Sequence, residues 1–340
     1  MQVQQITLDG QQYYDDAGGV FPLIYTPLAA STATTIDENN SARNKSGNVA
    51  SAKRWVSDNR ESLVLALAQH GALLFRGFGI ETDFEFDDFI GAFELPNFTY
   101  AESLSNAVRR NRTERVFTAN EAPPSVSIFL HHEMAQTPVY PSKLFFFCEH
   151  AQMTGGATPL CRSDVLLAEL TKVRPGFVAA CEQLGVRYSN TMPLEEDLAS
   201  GQGRSWRSTL SVADKAAAEE KLTGLGYSWQ WQDDQSLRVT TPSLPAVRTL
   251  DDGRKVFFNQ LIAAFRGWKD ARNSAEKSIC FGDSSDIDAA DMAVAIALAD
   301  ELSYDTPWQS GDVALVDNFL VMHGRRPFEG ERRILASLVG

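Results

Sequence analysis

The sequence contains few cysteines and no surplus of positive charge. Its four cysteines, Cys148, Cys161, Cys181 and Cys280, include no Cys-x-x-Cys pair. In a chain of 340 residues this pattern argues against a cysteine-ligated zinc site or a disulfide scaffold, and we expect reduced, mostly buried thiols. The formal net charge is −13 at pH 7. A chain with no basic surplus to neutralise phosphates is not expected to bind nucleic acid.

Long apolar runs and several common catalytic motifs are also missing. No apolar stretch is long enough to cross a bilayer, and the first residues have neither the basic nor the apolar region of a secretion signal. We therefore expect a cytoplasmic protein with no membrane partner. The sequence has no G-x-S-x-G, P-loop, G-x-G-x-x-G or H-E-x-x-H motif. Their absence disfavours a serine hydrolase, a nucleotide-binding protein and a helical zinc-protease site.

Hydrophobic residues make up 44% of the chain, which is enough for one large core. We predict a single domain over residues 1–340, because the candidate metal ligands lie far apart in sequence and no Pro-, Ser- or Gly-rich linker separates them. Within it, we expect N-terminal helices and loops over about 1–95 and a barrel core over about 96–340.

Helix and strand signals alternate along the chain. We predict a loop from Ala29 to Ala52 and then a helix that begins at Asp58 or Asn59 and ends at Gly71. The other predicted helix starts are Thr82, Asp164, Asp286 and either Ser211 or Asp214. The predicted strands are Ala72–Arg76, Ile128–His131, Leu144–Cys148, Thr158–Cys161, Leu237–Thr240, Val256–Phe258, Val313–Val316 and Arg333–Leu338. Short strands with helices around them favour a mainly β fold, a cupin-like jelly-roll or double-stranded β-helix, with peripheral helices.

Two histidines and a carboxylate form a candidate metal site. The chain has five histidines, of which His131 and His132 precede Glu133 and His323 follows a predicted strand. Residues two apart on a strand point to the same face, so His131 and Glu133 can converge while His132 points away. With His323 they would form the two-histidine, one-carboxylate set of non-haem ferrous oxygenases. A H-x-[DE] pair alone is a frequent chance match, and a strand histidine is more often a core residue than a ligand.

A basic pair, Arg332-Arg333, follows His323 by about ten residues. Arg333 begins an apolar strand, so its side chain can enter the barrel, where it would need an anion. A guanidinium matches a carboxylate in two parallel hydrogen bonds. An internal salt bridge, or a surface position beside Arg332, remains an open alternative.

Ordered motifs across most of the chain resemble the taurine dioxygenase (TauD/TfdA) superfamily, and within it most closely the SyrP-like hydroxylases of natural-product pathways. The matching segments are Gly71–Phe78, His131–Met134, Phe145–Cys148, Gly155–Pro159, Phe258–Gln260, Gly311–Val313, Asp317–Asn318 and His323–Phe328. The Gly-Gly-x-Thr element and the His-Gly-Arg-x-Pro-Phe element are the most specific of these.

The resemblance implies Fe(II) as cofactor, with 2-oxoglutarate and O2 as co-substrates. His131, Glu133 and His323 would be the iron ligands, and Arg333 with Thr158 would bind the far carboxylate of 2-oxoglutarate. Because Glu133 is present, halogenation is disfavoured, since the halogenases of this superfamily replace that carboxylate by a small residue. Ser337 lies four positions beyond Arg333, where some relatives carry a second arginine for an acidic substrate, so a taurine-like substrate is not expected.

The same resemblance implies an amino-acid-like substrate, either free or presented by a peptidyl carrier protein, and hydroxylation of an unactivated carbon. The candidate substrate contacts are Asn120, Glu121, Asn259 and Arg325. Desaturation, epoxidation and oxidative cyclisation are alternative outcomes of the same chemistry. A zinc-dependent hydrolase and a non-catalytic binding barrel are the alternatives from other classes.

Overall fold

The computed structural model describes residues 1–14, 19–28, 48–99, 103–105, 109–197, 203–268, 272–273 and 278–340. The strands are β1 (Val3–Ile6), β2 (Gln12–Tyr14), β3 (Gly19–Phe21), β4 (Leu23–Pro27), β5 (Ala72–Phe75), β6 (Phe117–Thr118), β7 (Ile128–His131), β8 (Lys143–Gly155), β9 (Thr158–Arg162), β10 (Val186–Met192), β11 (Ser228–Trp231), β12 (Leu237–Thr240), β13 (Arg248–Thr249), β14 (Lys255–Val256), β15 (Ile279–Phe281), β16 (Ser303–Thr306), β17 (Val313–Asp317), β18 (Val321–Arg325) and β19 (Phe328–Val339). The helices are α1 (Val49–His70), α2 (Asp83–Gly91), α3 (Ser163–Val173), α4 (Pro175–Leu184), α5 (Trp206–Leu210), α6 (Lys215–Gly224), α7 (Leu261–Gly267) and α8 (Ala289–Glu301).

The main sheet has seven strands in the order β1-β4-β5-β17-β8-β19-β6. Strand β17 lies at its centre and pairs antiparallel with both β5 and β8. Residues Val313–Val316 of β17 are all buried, because both faces of the sheet are covered. A strand covered on both faces is expected to be continuously apolar rather than alternating, as this one is.

A second sheet, in the order β16-β9-β18-β7, lies against the inner face of the main sheet. One hydrophobic cluster joins them, with Phe146, Ala314 and Ile334 from the main sheet and Leu160 and Val321 from the second. The expected jelly-roll with peripheral helices is confirmed by this arrangement. Both candidate histidines lie on the second sheet, on the neighbouring strands β7 and β18.

Helices cover the outer faces of both sheets. Helices α1 and α2 pack on the outer face of the main sheet, where Phe86 stacks on Phe147 at 5.1 Å. Helices α3, α4, α7 and α8 pack around the second sheet. Another four-stranded sheet, β11-β12-β10-β15, packs against α5 and α6 through its own smaller cluster. None of the helices in the described ranges is long and apolar enough to cross a membrane.

Several predicted boundaries differ from the structure. Helix α1 begins at Val49, about nine residues before the predicted start, because Asn48 caps it by accepting a hydrogen bond from the Ser51 backbone. Its predicted end at Gly71 is correct, and so is the Thr82 start of α2, which forms a capping box with Glu85. The predicted loop before α1 falls mostly on residues 29–47, which lie outside the described ranges.

The other helix starts are within one or two residues of the prediction. Asp214 rather than Ser211 caps α6, and Asp288 rather than Asp286 caps α8. Helix α3 begins at Ser163 rather than Asp164. For α6 and α8, neighbouring Asp and Ser residues compete for the cap and only the backbone geometry selects one, whereas no side chain caps α3.

Strands β8 and β19 are longer than predicted, because they continue as a paired ribbon beyond their apolar halves. In addition, β1, β4 and β5 belong to the main sheet, so residues before 95 contribute strands as well as helices and loops. The predicted division between a decorating segment and a barrel core at about residue 95 therefore does not match the sheet.

A buried ion pair joins β5 to the start of β17. Arg76 donates from Nη2 to Asp312 at 2.7 Å, and the Asp312 side chain is 1% exposed. Replacing Arg76 by Met should lower the free energy of unfolding by about 3 kcal/mol or more, because it leaves a buried carboxylate without its counter-charge. Urea denaturation measures this change.

Arg60 provides the matched control, since it pairs with Glu94 at the surface. Its replacement by Met should cost about 1 kcal/mol or less. If both variants lose the same free energy of unfolding, the buried Arg76–Asp312 pair stabilises the fold no more than a surface pair does.

Candidate active site

The structure brings together three of the candidate ligands. His131, Glu133 and His323 each offer one ligand atom, and these atoms lie within 4.8 Å of one another. The rings of His131 and His323 are 4.4 Å apart, and His323 Nε2 lies 3.5 Å from Glu133 Oε2. In the part of the chain that the structure describes, this is the one group of three potential metal ligands with such geometry.

Strand pairing places the two histidines. His323 on β18 is directly opposite His131 on β7, and the register shifts immediately beyond this pair. The His131 ring donates from Nδ1 to the backbone oxygen of Phe129 at 2.7 Å. That bond fixes the proton on Nδ1 and leaves the lone pair of Nε2 for a metal.

Glu133 is positioned by a turn rather than by strand alternation. Strand β7 ends at His131, and Glu133 lies in a turn that includes Met134 at φ 60°. The buried amide of Asn318 fixes that turn, because its Oδ1 accepts from Glu133 N at 2.7 Å and its Nδ2 donates to Glu133 O at 3.0 Å. His131 and Glu133 converge as expected. Only His131 lies on the strand, however, so strand periodicity does not account for the direction of the Glu133 side chain.

His132 points away from the group, as the sequence predicted. Its Nδ1 donates to the backbone oxygen of Asn318, and its ring packs against Phe258 at 4.8 Å. Complete burial lowers the pKa of His132 to about 3, so the ring is neutral at physiological pH. It is therefore a core residue that ties the Glu133 turn to the β17–β18 connection.

Electrostatics favour the protonation states that a divalent cation needs. Burial, reinforced by the neighbouring His323, lowers the pKa of His131 to about 4. Burial alone would raise the pKa of Glu133, but the charge of Arg109 and the contact with His323 hold it below its usual range. A neutral imidazole and an ionised carboxylate are the forms that bind metal, so the donor set fits Fe(II).

The group faces a chamber of about 340 Å³ between the two sheets. Its wall includes apolar side chains from β8 and β19, namely Phe146, Ile334 and Ala336. Polar and charged side chains also line it, and these are Ser105, Arg109, Asn120, Ser127, Gln136, Thr158, Asp197, Gln260, Arg325 and Arg332. The size is that of a small-molecule site.

Arg332, and not Arg333, is the arginine of β19 that lines this chamber. Arg332 donates from Nε to Gly156 O at 2.7 Å and from Nη2 to Thr158 Oγ1 at 3.2 Å. The Arg333 side chain is 44% exposed and pairs with Glu149 and Glu331 on the outside. The prediction that Arg333 enters the barrel is therefore wrong by one residue.

The sequence could not have settled this choice. Every residue from Ile334 to Val339 is buried, so the strand lacks the polar and apolar alternation that would show its inner face. Because the chamber arginine is Arg332 and not Arg333, the position four residues beyond it is Ala336 and not Ser337. Ala336 lines the chamber. Ala336 cannot bind an acidic group, so the absence of a second arginine at this position still holds.

Thr158 lies where it was expected, and its hydroxyl has a defined direction. Its oxygen accepts from Trp308 Nε1 at 2.9 Å as well as from Arg332. A hydroxyl has two acceptor positions and one proton, so the Thr158 proton remains to be donated towards the chamber. Gly156 makes room for this arrangement, because a Cβ there would come within 2.9 Å of Arg332 Cδ.

The four candidate substrate contacts have different outcomes. Asn120 lines the chamber. Arg325 lines it too, but its guanidinium donates to four backbone oxygens of residues 120–126, so it holds that loop in place. Glu121 is exposed and pairs with Arg110 outside the chamber. Asn259 is fully buried and bonds to Ala246 O and Leu261 N, which makes it a structural residue.

Several site residues were not found from the sequence. Arg109 donates to both oxygens of Glu133, Gln136 and Trp268 line the chamber, and Trp308 orients Thr158. Arg109 and Trp308 are remote in sequence from the residues that they contact, and Gln136 and Trp268 belong to no local pattern. The motif that contains Asn318 was noted, but its bonds to Glu133 depend on the packing of β7 against the β17–β18 connection.

Comparisons with known proteins agree with this geometry. The family described as taurine catabolism dioxygenase TauD, TfdA matches residues 38–338. A clavaminate synthase-like protein of Arabidopsis thaliana is 39% identical over 273 residues, covering 80% of this chain and 82% of the relative. The dapdiamide synthesis protein DdaC of Enterobacter agglomerans is 29% identical over 290 residues, covering 80% of this chain and 83% of DdaC.

Among solved structures, the fold is similar to that of AAD-2, which was determined in complex with Mn(II) and N-oxalylglycine. The TM-score is 0.53 at 12% sequence identity, and the match covers 100% of this chain and 98% of AAD-2. At this identity the likeness concerns the fold alone.

Replacing Asn318 by Ala should weaken metal binding by about tenfold to a hundredfold, the usual cost of losing a residue that orients a ligand. The physical reason is that the Glu133 turn loses both of its bonds to Asn318. Anaerobic titration with Fe(II) or Mn(II) measures the affinity.

Asn190 to Ala is the matched control, because Asn190 is also a buried asparagine but lies outside the ligand group. It should lose stability without a comparable loss of metal affinity. If Asn318 to Ala binds metal as tightly as the unmodified protein, then Asn318 does not position Glu133.

Proposed function

The chain belongs to the TauD, TfdA family and is an Fe(II)- and 2-oxoglutarate-dependent dioxygenase, and on that premise we propose that His131, Glu133 and His323 hold its iron. Two histidines and one carboxylate leave open coordination positions for a co-substrate and O2. Iron held there would supply the coupling between the decarboxylation of 2-oxoglutarate by O2 and the oxidation of an unactivated carbon. The protein contributes binding, orientation and exclusion of water.

The observation that carries this proposal is the charge of Arg332. No acidic side chain among the described residues forms an ion pair with it, although it lines the chamber. Burial lowers its pKa to about 10, with a further contribution from Arg325, so it remains charged at neutral pH. A partly buried guanidinium that faces the chamber needs an anion, and the far carboxylate of 2-oxoglutarate would supply it.

The neighbours of Arg332 favour a carboxylate in a single orientation. Gly156 and Thr158 hold two of its nitrogens, which fixes the plane of the guanidinium. Trp308 occupies one acceptor position of the Thr158 hydroxyl, so that its proton can be donated to the same carboxylate. Such preorganisation reduces the entropy that is lost on binding.

For the reaction itself, we propose hydroxylation of an amino acid or a close derivative, free or tethered to a carrier protein. The chamber wall supports a polar substrate, because Asn120, Gln136 and Asp197 line it. The relative named for dapdiamide synthesis supports a role in natural-product biosynthesis. Desaturation, epoxidation and cyclisation use the same site and differ in how the substrate carbon is placed.

The adjacent arginines of β19 give a matched pair for testing the co-substrate site. Replacing Arg332 by Met should weaken 2-oxoglutarate binding by about 2–5 kcal/mol, or at least roughly thirtyfold, because the carboxylate loses its counter-charge. Replacing Arg333 by Met should change the affinity by less than about threefold, because that side chain lies outside the chamber.

The measurement is anaerobic titration of the Fe(II) protein with 2-oxoglutarate, followed by the visible metal-to-ligand charge-transfer band. If the unmodified protein gives no such band, the proposed site is refuted. If the band appears but Arg333 to Met is the variant that loses affinity, the co-substrate lies elsewhere than beside Arg332.

Substrate class is tested by succinate release across free amino acids and the same amino acids as carrier-protein thioesters. We expect one of the two sets to stimulate succinate release, with a product heavier by one oxygen atom. A product lighter by two hydrogens would instead indicate desaturation or ring closure. Stimulation only by compounds that are not amino-acid derivatives would contradict the proposed substrate class.

A further inference from the structure

Arg109 contacts the carboxylate of Glu133 directly. Its Nη2 lies 2.9 Å from Oε1 and 3.0 Å from Oε2, and the two side chains are 8% and 4% exposed. The guanidinium also packs over the ring of Phe117, with 5.2 Å between the guanidinium carbon and the ring centre. The co-substrate site described above does not involve this arginine.

The nearly equal distances place Nη2 about midway between the two carboxylate oxygens, close to the plane that bisects the line joining them. A metal ion held by both oxygens of a carboxylate would also lie midway between them, in the same plane, and would compete with Nη2 for both oxygens. The two positions are therefore mutually exclusive. A metal that also binds His323 can reach Glu133 from the side of Oε2, which lies 3.5 Å from His323 Nε2.

The number of coordination positions on the iron determines whether Glu133 can use one oxygen or both. Two histidines and one carboxylate oxygen leave three positions of an octahedral ion. The co-substrate 2-oxoglutarate uses two of them, and O2 needs the third. A carboxylate can bind a metal through one oxygen or through both. If Glu133 used both oxygens, the position for O2 would be lost.

We propose that Arg109 is a positioning residue that restricts Glu133 to binding iron through one oxygen, and so keeps one coordination position open. The inference rests on the proposed role of Glu133 as an iron ligand. Arg109 acts through Glu133 and does not itself contact the iron or the co-substrate.

The proposal and a simple supporting role predict opposite effects of removing Arg109 on iron affinity. If Arg109 only oriented Glu133, its removal would weaken iron binding, as the loss of such partners usually does. Under the proposal, removal takes a positive charge away from a cation site and frees a second ligand oxygen. Iron should then bind as tightly as before or more tightly, while a diatomic ligand binds less well.

The variants are Arg109 to Met, which removes charge and donors, and Arg109 to Lys, which keeps the charge without the planar fork. Arg110 to Met is the matched control, because Arg110 is the next residue, is 68% exposed and pairs with Glu121 outside the chamber. Two affinities are measured without oxygen. The affinity of the protein for Fe(II) is measured by competition with a chromogenic chelator. The affinity of the Fe(II)–2-oxoglutarate protein for nitric oxide is measured by electron paramagnetic resonance.

For Arg109 to Met we expect Fe(II) affinity within about threefold of the unmodified protein or tighter, and nitric oxide affinity weaker by about tenfold or more. The Lys variant should show a smaller loss of nitric oxide binding, and Arg110 to Met should show neither change.

Weaker Fe(II) binding by about tenfold with unchanged nitric oxide affinity would overturn the proposal and leave Arg109 a supporting role only. Unchanged values for both ligands would overturn it as well. If the Met variant does not fold, as judged by circular dichroism, Arg109 to Gln takes its place with the same expectations. A failure of the proposed function is distinguishable, because the unmodified protein would then show no 2-oxoglutarate-dependent band with iron.

Discussion

The site depends on one constraint, which is that the buried amide of Asn318 holds two remote chain segments together. Its side chain bonds to both backbone groups of Glu133, and its backbone oxygen accepts from His132. Asn318 also lies in the connection between β17 and β18, and therefore close in sequence to His323. The turn with the carboxylate and the strand with the second histidine are thus fixed relative to each other. Breaking these buried hydrogen bonds would be costly, because the low local dielectric strengthens them and penalises unpaired polar groups.

The two sheets position different parts of the site around Asn318. The second sheet sets the spacing of the histidines by pairing His131 with His323. The ends of the main sheet bring Arg332 beside the turn that contains Gly156, where β8 and β9 meet. Among the arginines that line the chamber, Arg109 lies beside the carboxylate ligand and Arg332 lies beside Thr158. In a low-dielectric chamber these charges act strongly on anionic groups.

Much of the fold could be predicted from the sequence, because its signals are local. Strands β5, β7 and β12 have the predicted limits or nearly so, and Gly71 and Thr82 end and begin helices as predicted. The start of α1 was missed because Ala and Ser before Trp55 are compatible with both loop and helix. The candidate substrate contacts fared worst. Glu121 was chosen because it precedes the ligand strand and Asn259 because it lies in a matching motif, and neither fact reports which way a side chain points.

The sequence by itself determined the chemical class of the site, since the ligand types, their order and the Gly-Gly-x-Thr turn are properties of short segments. It also determined that His132 differs from His131. Only the tertiary structure decided between Arg332 and Arg333, because the part of β19 that follows them, residues 334–339, is buried throughout and carries no alternation. The same holds for Arg109 and Trp308, whose partners lie far away in sequence. Their positions follow from how the sheets pack, and no local pattern encodes that.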